Sequence, residues 1–136
     1  MRAPRGIIGL AGLVGISLLA SGQGTFAATV EVPSGQPLTL YDVRLEGEGA
    51  IARFLFLAPR IGEGEDRFAY DEVLGDFTHI CERVALPALA EQGWSPEQVV
   101  IAMADREVEF GVVTPEATQF FESFAIADGA CEWMEF

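Results

Sequence analysis

The first half of the chain contains two segments whose residue pattern is typical of β-strands. Residues 38–46 alternate between apolar and polar side chains, as expected for a half-buried strand. Residues 51–58 are apolar on both faces except at Arg53, which predicts a central strand covered on both sides. The glycine-rich residues 47–49 separate the two segments, so we predict a hairpin. A short strand is also expected over residues 29–32.

The next segment shows helical periodicity. Within residues 70–85 the apolar side chains recur at helical spacing and form one continuous stripe, made of Val73, Phe77, Ile80, Cys81 and Val84. Pro87 should kink this helix or start a second short one, because proline lacks the backbone N–H that a helix interior needs. Gly93 is the expected C-terminal cap. Residues 59–69, which precede the helix, are predicted to be a polar loop.

A second hairpin and a second helix are predicted in the C-terminal part. Residues 98–104 are apolar on both faces, and residues 107–113 alternate, with the Asp105-Arg106 turn between them. Thr114, Pro115 and Glu116 are typical of a helix start, and the apolar residues of 117–124 follow at helical spacing: Ala117, Phe120, Phe121 and Phe124. The Asp128-Gly129 pair should end this helix, and residues 131–136 are expected to form a last strand.

Taken together, these elements predict an α+β domain. Its sheet would be small and antiparallel, with four or five strands that include two hairpins. Two or three helices would pack on one face of the sheet, and one disulfide would complete the domain.

The N-terminus has the pattern of a secretory signal peptide. Arg2 and Arg5 precede an uncharged apolar run over residues 7–20, and the segment ends in Thr25-Phe26-Ala27. The run is shorter than the roughly 20 residues of a membrane-spanning helix. We therefore predict cleavage after Ala27, a single exported domain over residues 28–136 and a periplasmic or secreted location. The alternative is an uncleaved N-terminal anchor.

The charge balance is strongly acidic. The chain has 21 Asp and Glu residues against 8 Arg, and it contains no Lys. Its net charge of −13 argues against binding to nucleic acid or to anionic lipid headgroups, because both need basic residues for neutralisation. It favours a cationic protein partner, drawn in by long-range attraction. The alternative is that the acidic surface serves only solubility.

The two cysteines, Cys81 and Cys131, are expected to form a structural disulfide, because an exported chain meets oxidising conditions. The spacing is not that of a Cys-x-x-Cys redox site. A zinc site needs about four ligands, and His79 is the single histidine. His79 and Cys81 lie two positions apart on the predicted helix, so they do not face each other as a nucleophile and its base. We expect no metal and no cofactor.

Two other groups are candidate contacts for a partner. Asp105 and Arg106 lie at the tip of the predicted second hairpin, and Arg is frequent at interface hot spots. Glu63, Glu65 and Asp66 form an acidic loop, which could also gather oxygen ligands for Ca²⁺. It lacks the spacing of an EF-hand loop, and a solvated loop is the simpler interpretation.

The C-terminal part of the chain resembles a family of small exported alphaproteobacterial proteins that is classed as a domain of unknown function. The resemblance rests on short segments over residues 81–136, namely Cys81, the strand that ends in Asp105-Arg106, Phe110-Gly111, Pro115, residues 119–122, residues 131–133 and Phe136. It implies an exported location and paired cysteines, and it implies no catalytic residue.

Three functions are compatible with these patterns. We favour a non-catalytic interaction or accessory module that binds another envelope protein, because no nucleophile and base are placed together. The alternatives are a small hydrolase that uses carboxylates and a structural subunit of an envelope complex that retains its N-terminal anchor.

The signal peptide generates a first prediction. Mass spectrometry of the exported protein should find Ala28 as the first residue, because signal peptidase requires the small residues at Thr25 and Ala27. A membrane-bound form that keeps Met1 would contradict this prediction and favour the anchored subunit.

Overall fold

A computed structural model describes residues 27–109 and 111–135. Six strands form one sheet in chain order: β1 (Ala28–Thr29), β2 (Thr39–Glu46), β3 (Ile51–Leu57), β4 (Gln98–Ala104), β5 (Gln119–Ala127) and β6 (Ala130–Trp133). One helix, α1, consists of Tyr70–Ile80, a π-helical turn over Cys81–Ala85, and Leu86–Gln92. The predicted signal peptide, residues 1–27, falls almost wholly outside the described residues.

The sheet is mixed. All neighbouring strands pair antiparallel except β3 and β4, which run parallel from the Ile51–Gln98 pair to the Leu57–Ala104 pair. Parallel neighbours need a long crossover connection, and α1 supplies it. The two parallel strands are the segments that are apolar on both faces, as is usual for strands in the centre of a parallel arrangement.

The predicted fold class is therefore wrong in its arrangement. The sheet has six strands and is not wholly antiparallel, and the described chain has one helix of 23 residues in three consecutive parts instead of two or three separate helices. Pro87 does not break the helix. The π-helical turn directly before it, in which the Leu86 N–H donates to the Cys81 carbonyl, widens the helix where proline would otherwise clash with the preceding turn.

The second predicted helix and the second predicted hairpin are also wrong. Residues 119–127 form strand β5, which pairs with β4 in place of residues 107–113. Phe120 and Phe124 lie four residues apart, so they satisfy a period of two as well as helical spacing. The alternation decides the structure because Phe124 is wholly buried under the helix whereas Phe121, on the opposite face, is 62 % exposed.

The hydrophobic core lies between α1 and one face of the sheet. The helix contributes the predicted apolar stripe, and the central strands contribute alternate residues. The core includes Val73, Phe77, Ile80 and Cys81 from the helix, and Phe54, Phe56, Val99, Ile101 and Phe124 from the sheet. Gly93 ends the helix in the left-handed conformation (φ 72°), as predicted for its cap.

The disulfide between Cys81 and Cys131 is present and connects the helix to strand β6. This confirms the predicted pairing, and the bond is consistent with an oxidising compartment. Within residues 27–109 and 111–135, no helix combines the length and the apolar composition needed to cross a membrane.

A buried carboxylate fixes the loop between β1 and β2 onto the helix. Asp76, only 1 % exposed, accepts hydrogen bonds from the Ser34 backbone N–H (2.9 Å), the Ser34 hydroxyl (2.6 Å) and the Gln36 side-chain amide (2.9 Å). Three donors compensate for the loss of water around the carboxylate.

This network generates the second prediction. Asp76→Ala should lower the free energy of unfolding by about 3 kcal/mol, because it leaves the buried Gln36 amide and the two partly buried Ser34 donors without an acceptor. Chemical denaturation measures the loss. Asp71→Ala, at an exposed position in the first turn of the helix, is the control and should cost less than about 1 kcal/mol. Equal losses in the two variants would show that the network does not stabilise the fold.

Candidate functional site

The residues that the sequence predicts as partner contacts lie at the carboxyl ends of the parallel strands β3 and β4. Asp105 and Arg106 follow β4 directly, and the acidic loop follows β3. Asp105 is turned inward, with a side chain only 9 % exposed. Its backbone N–H donates to the Thr118 carbonyl (3.0 Å), and its carboxylate accepts from the Thr118 N–H (3.1 Å). Asp105 therefore fixes the start of β5.

Asp105 also explains a glycine in the acidic loop. A Cβ atom at position 62 would lie 2.5 Å from the Asp105 carboxylate, so only glycine allows this approach. Arg106 donates to both Asp105 carboxylate oxygens at 3.2 Å, and this contact holds the pKa of Asp105 below its usual range. The same hydrogen bonds and the charge of Asp105 raise the pKa of Arg106, with smaller contributions from the charges of Glu116 and Glu63. The structure thus brings Asp105 and Arg106 into direct contact.

The other two residues of the acidic loop, Glu65 and Asp66, have exposed side chains. The Asp66 backbone carbonyl accepts a hydrogen bond from Arg60 (2.8 Å), which supports the loop from beneath. Among the described residues, no three His, Cys, Asp or Glu side chains are grouped as ligands for a metal ion.

A second group of residues, which we call the aromatic–carboxylate cluster, consists of Tyr70, Glu122 and Trp133. Tyr70 begins α1, Glu122 lies in β5 and Trp133 ends β6. The Tyr70 hydroxyl donates to one carboxylate oxygen of Glu122, and the Trp133 indole N–H donates to the other at 2.8 Å. Both carboxylate oxygens are therefore held in place by aromatic side chains.

Packing beneath the cluster holds both aromatic rings. The Tyr70 ring contacts Phe120 edge-to-face, with the ring centres 5.4 Å apart. The Trp133 ring packs on the buried Phe124, with the ring centres 5.5 Å apart. Such aromatic pairs contribute about 0.5–1.5 kcal/mol beyond the burial of their area. One side of each ring rests on the core, while Tyr70 is 39 % exposed and Trp133 is 40 % exposed.

The electrostatics of the cluster determine its chemistry. Burial, followed by the hydrogen bond to Glu122 and its negative charge, raises the pKa of Tyr70 to about 12. Tyr70 thus stays protonated at neutral pH and acts as a donor, whereas a general base or nucleophile would need a lowered pKa. What remains for a ligand is a carboxylate between two surface aromatic rings. This combination attracts ammonium and guanidinium groups.

Neither cysteine is available as a covalent nucleophile. The chain has two cysteines, and both are in the disulfide, so no thiol is free. His79 is half-buried on α1, two residues from Cys81, as the helical spacing predicted.

Sequence reasoning missed the aromatic–carboxylate cluster because its members are far apart in the chain. Tyr70 and Glu122 are 52 residues apart, and Glu122 was assigned to a predicted helix. One signal was available. Asp128-Gly129 is a strong two-residue hairpin sequence, and a hairpin there places the strand of Glu122 beside the strand of Trp133.

Comparison with known proteins identifies a family. Family of unknown function (DUF6497) matches residues 16–136, which confirms the resemblance to a domain of unknown function. No match was found among curated proteins or among solved structures. The exported location and the alphaproteobacterial origin stay predictions.

The raised pKa of Tyr70 generates the third prediction. Tyr41 is the only other tyrosine, so in Tyr41→Phe the absorbance of phenolate at 295 nm reports Tyr70 alone. It should titrate near pH 12 in the folded protein and near about 10 in denaturant.

Linkage gives the direction of the stability change. The folded-state pKa of Tyr70 is raised, so its contribution to stability is fully present below about pH 10 and is lost as the pH rises towards 12. Glu122→Gln is the matched variant and should move the folded titration towards that of the unfolded chain. A folded midpoint at about pH 10 with Glu122 intact would contradict the hydrogen bond between Tyr70 and Glu122.

Proposed function

The chain belongs to the DUF6497 family, and we propose that it is an exported, non-catalytic accessory domain that binds a cationic envelope protein. The aromatic–carboxylate cluster is the proposed binding site. A basic side chain of the partner would lie beside Glu122 and against the exposed faces of Tyr70 and Trp133.

One observation carries this proposal. The Glu122 carboxylate is oriented by two donors, and both donors are aromatic side chains whose rings remain about two fifths exposed. A preorganised carboxylate loses little conformational freedom on binding. The aromatic faces add attraction to a cation of about 0.5–1 kcal/mol at an exposed site and more when water is excluded.

The overall charge supports the same class of partner. If the signal peptide is removed, two Arg leave with it and the domain carries a net charge of about −15. Such a field accelerates encounter with a basic protein. The exposed Glu63, Glu65 and Asp66 lie in the loop that leads into Tyr70, and we propose that they steer the partner towards the cluster. In this proposal Asp105 orders the loops around Gly62 and Thr118, and Arg106 is not a main contact for the partner.

The proposed location rests on two independent features. The first is the signal-peptide pattern of residues 1–27. The second is the disulfide, since such bonds persist in oxidising compartments such as the periplasm and are rare in the cytosol.

The binding site generates the fourth prediction. In Trp94→Phe, Trp133 is the only tryptophan, and its fluorescence should change when a capped hexa-arginine peptide is added. Glu122→Gln in the same background should weaken binding by about tenfold, through loss of the ion pair and of the ring orientation.

Glu91→Gln is the matched control, because it removes one exposed carboxylate from the far end of the helix and should change the affinity by less than about twofold. The affinity for the peptide should also fall as salt rises from about 0.05 M to 0.5 M, because screening shortens the range of attraction. Equal affinities of the two variants would overturn the cluster as the site, and salt-independent binding would overturn the electrostatic mechanism.

A further inference from the structure

We propose, on the basis of the proposed function, that the partner binds through an extended basic segment that adds a strand along the free edge of β6. The binding would combine main-chain hydrogen bonds to β6 with basic side chains at the aromatic–carboxylate cluster. Addition of a strand to an exposed sheet edge is a general mode of peptide recognition.

The position of β6 in the sheet provides the edge. Among the described residues, β5 is the only strand that pairs with β6, and β6 therefore ends the sheet. The opposite edge consists of the two-residue strand β1 and of the part of β2 beyond its pairs with β1, and it lies at the other end of the strand order from the aromatic–carboxylate cluster. An unpaired edge presents N–H and carbonyl groups that can pair with an incoming chain.

The hydrogen-bond pattern identifies which groups face outward. The Met134 N–H donates to the Ser123 carbonyl at 2.9 Å, so Met134 faces β5. Residues of an antiparallel strand face the partner alternately, so Ala130 and Glu132 also face β5. The backbone groups of Cys131 and Trp133 consequently point to the free edge.

The hairpin before β6 supports this assignment. Asp128 and Gly129 both have positive φ (54° and 73°), which is the two-residue type I′ turn that suits the twist of antiparallel strands. Such a turn is closed by a mutually hydrogen-bonded pair, here Ala127 and Ala130. The alternation along β6 therefore starts with Ala130 directed towards β5.

The side chains along this edge select a basic occupant. Glu132 is exposed on the sheet face opposite the helix, and Glu135 is exposed just beyond the strand. On the helix face Trp133 is 40 % exposed. A neighbouring strand would place one side chain opposite Glu132, where an opposite charge is favourable, and the adjacent one beside the Trp133 ring, where a cation is attracted. Two consecutive basic residues fit both positions.

The same charges disfavour a second copy of this chain as the occupant. Pairing of two β6 edges would bring together strands that each carry the exposed Glu132, and each chain carries a net charge of −13. Charged residues on an edge strand protect it against self-association. The occupant is therefore a basic segment of another protein.

The test uses the oxidised Trp94→Phe protein and two capped octapeptides. Both have Val and Thr at the outer positions and two adjacent Arg at the centre, and one carries N-methyl groups on its four central residues. N-methylation removes the backbone donors and leaves the side chains unchanged. Affinity is measured from Trp133 fluorescence, and amide hydrogen exchange is followed by NMR at Cys131 and Trp133.

Strand addition predicts that N-methylation weakens binding at least about tenfold and that the unmodified peptide slows exchange at the Cys131 and Trp133 amides. Equal affinities of the two peptides, with no protection of these amides, would overturn the strand addition while leaving the cationic site at Glu122 intact. If neither peptide bound, or if Glu122→Gln bound both as well as the intact site does, the proposed function itself would fail together with this inference.

Discussion

The disulfide between Cys81 and Cys131 is the constraint on which the proposed binding surface depends. Strand β6 has four residues and pairs only with β5 among the described strands, so few main-chain hydrogen bonds hold this edge of the sheet. The disulfide attaches this edge to a fully buried position of the helix. Because Trp133 lies two residues beyond Cys131 on the same face, the bond also holds the indole ring over Phe124 and within reach of Glu122.

Much of the fold could be predicted from the hydrophobic pattern, but its topology could not. The strands β2, β3 and β4 and the start of the helix follow directly from alternation, apolar runs and helical spacing. The parallel pairing of β3 with β4 could not be predicted, because the pattern within a strand does not show which other strand it pairs with. Strand β5 was mistaken for a helix because Phe120 and Phe124 satisfy both periods, and the Asp128-Gly129 turn, which favours a hairpin, was the signal that could have decided it.

The candidate site was less predictable than the fold. Asp105 and Arg106, the expected partner contacts, lie beside the acidic loop. The Asp105 side chain, however, is hydrogen-bonded to Thr118 and packs against Gly62. The aromatic–carboxylate cluster combines one residue from the helix and one from each of two strands, so no local motif contains it. The proposal of a cationic partner rests on charge, because a chain without Lys and with 21 acidic residues attracts cations.

The role of the disulfide in holding Trp133 on Glu122 is tested most directly by the NMR resonance of the Trp133 indole N–H, recorded with and without the disulfide. In Trp94→Phe the signal is unambiguous, and Cys81→Ala combined with Cys131→Ala removes the bond. We expect the indole signal to move to the position of a free, solvated indole in this variant, while the methyl signals of Val99 and Ile101 in the core stay in place. An unchanged indole signal would contradict the claim that the disulfide holds Trp133 on Glu122.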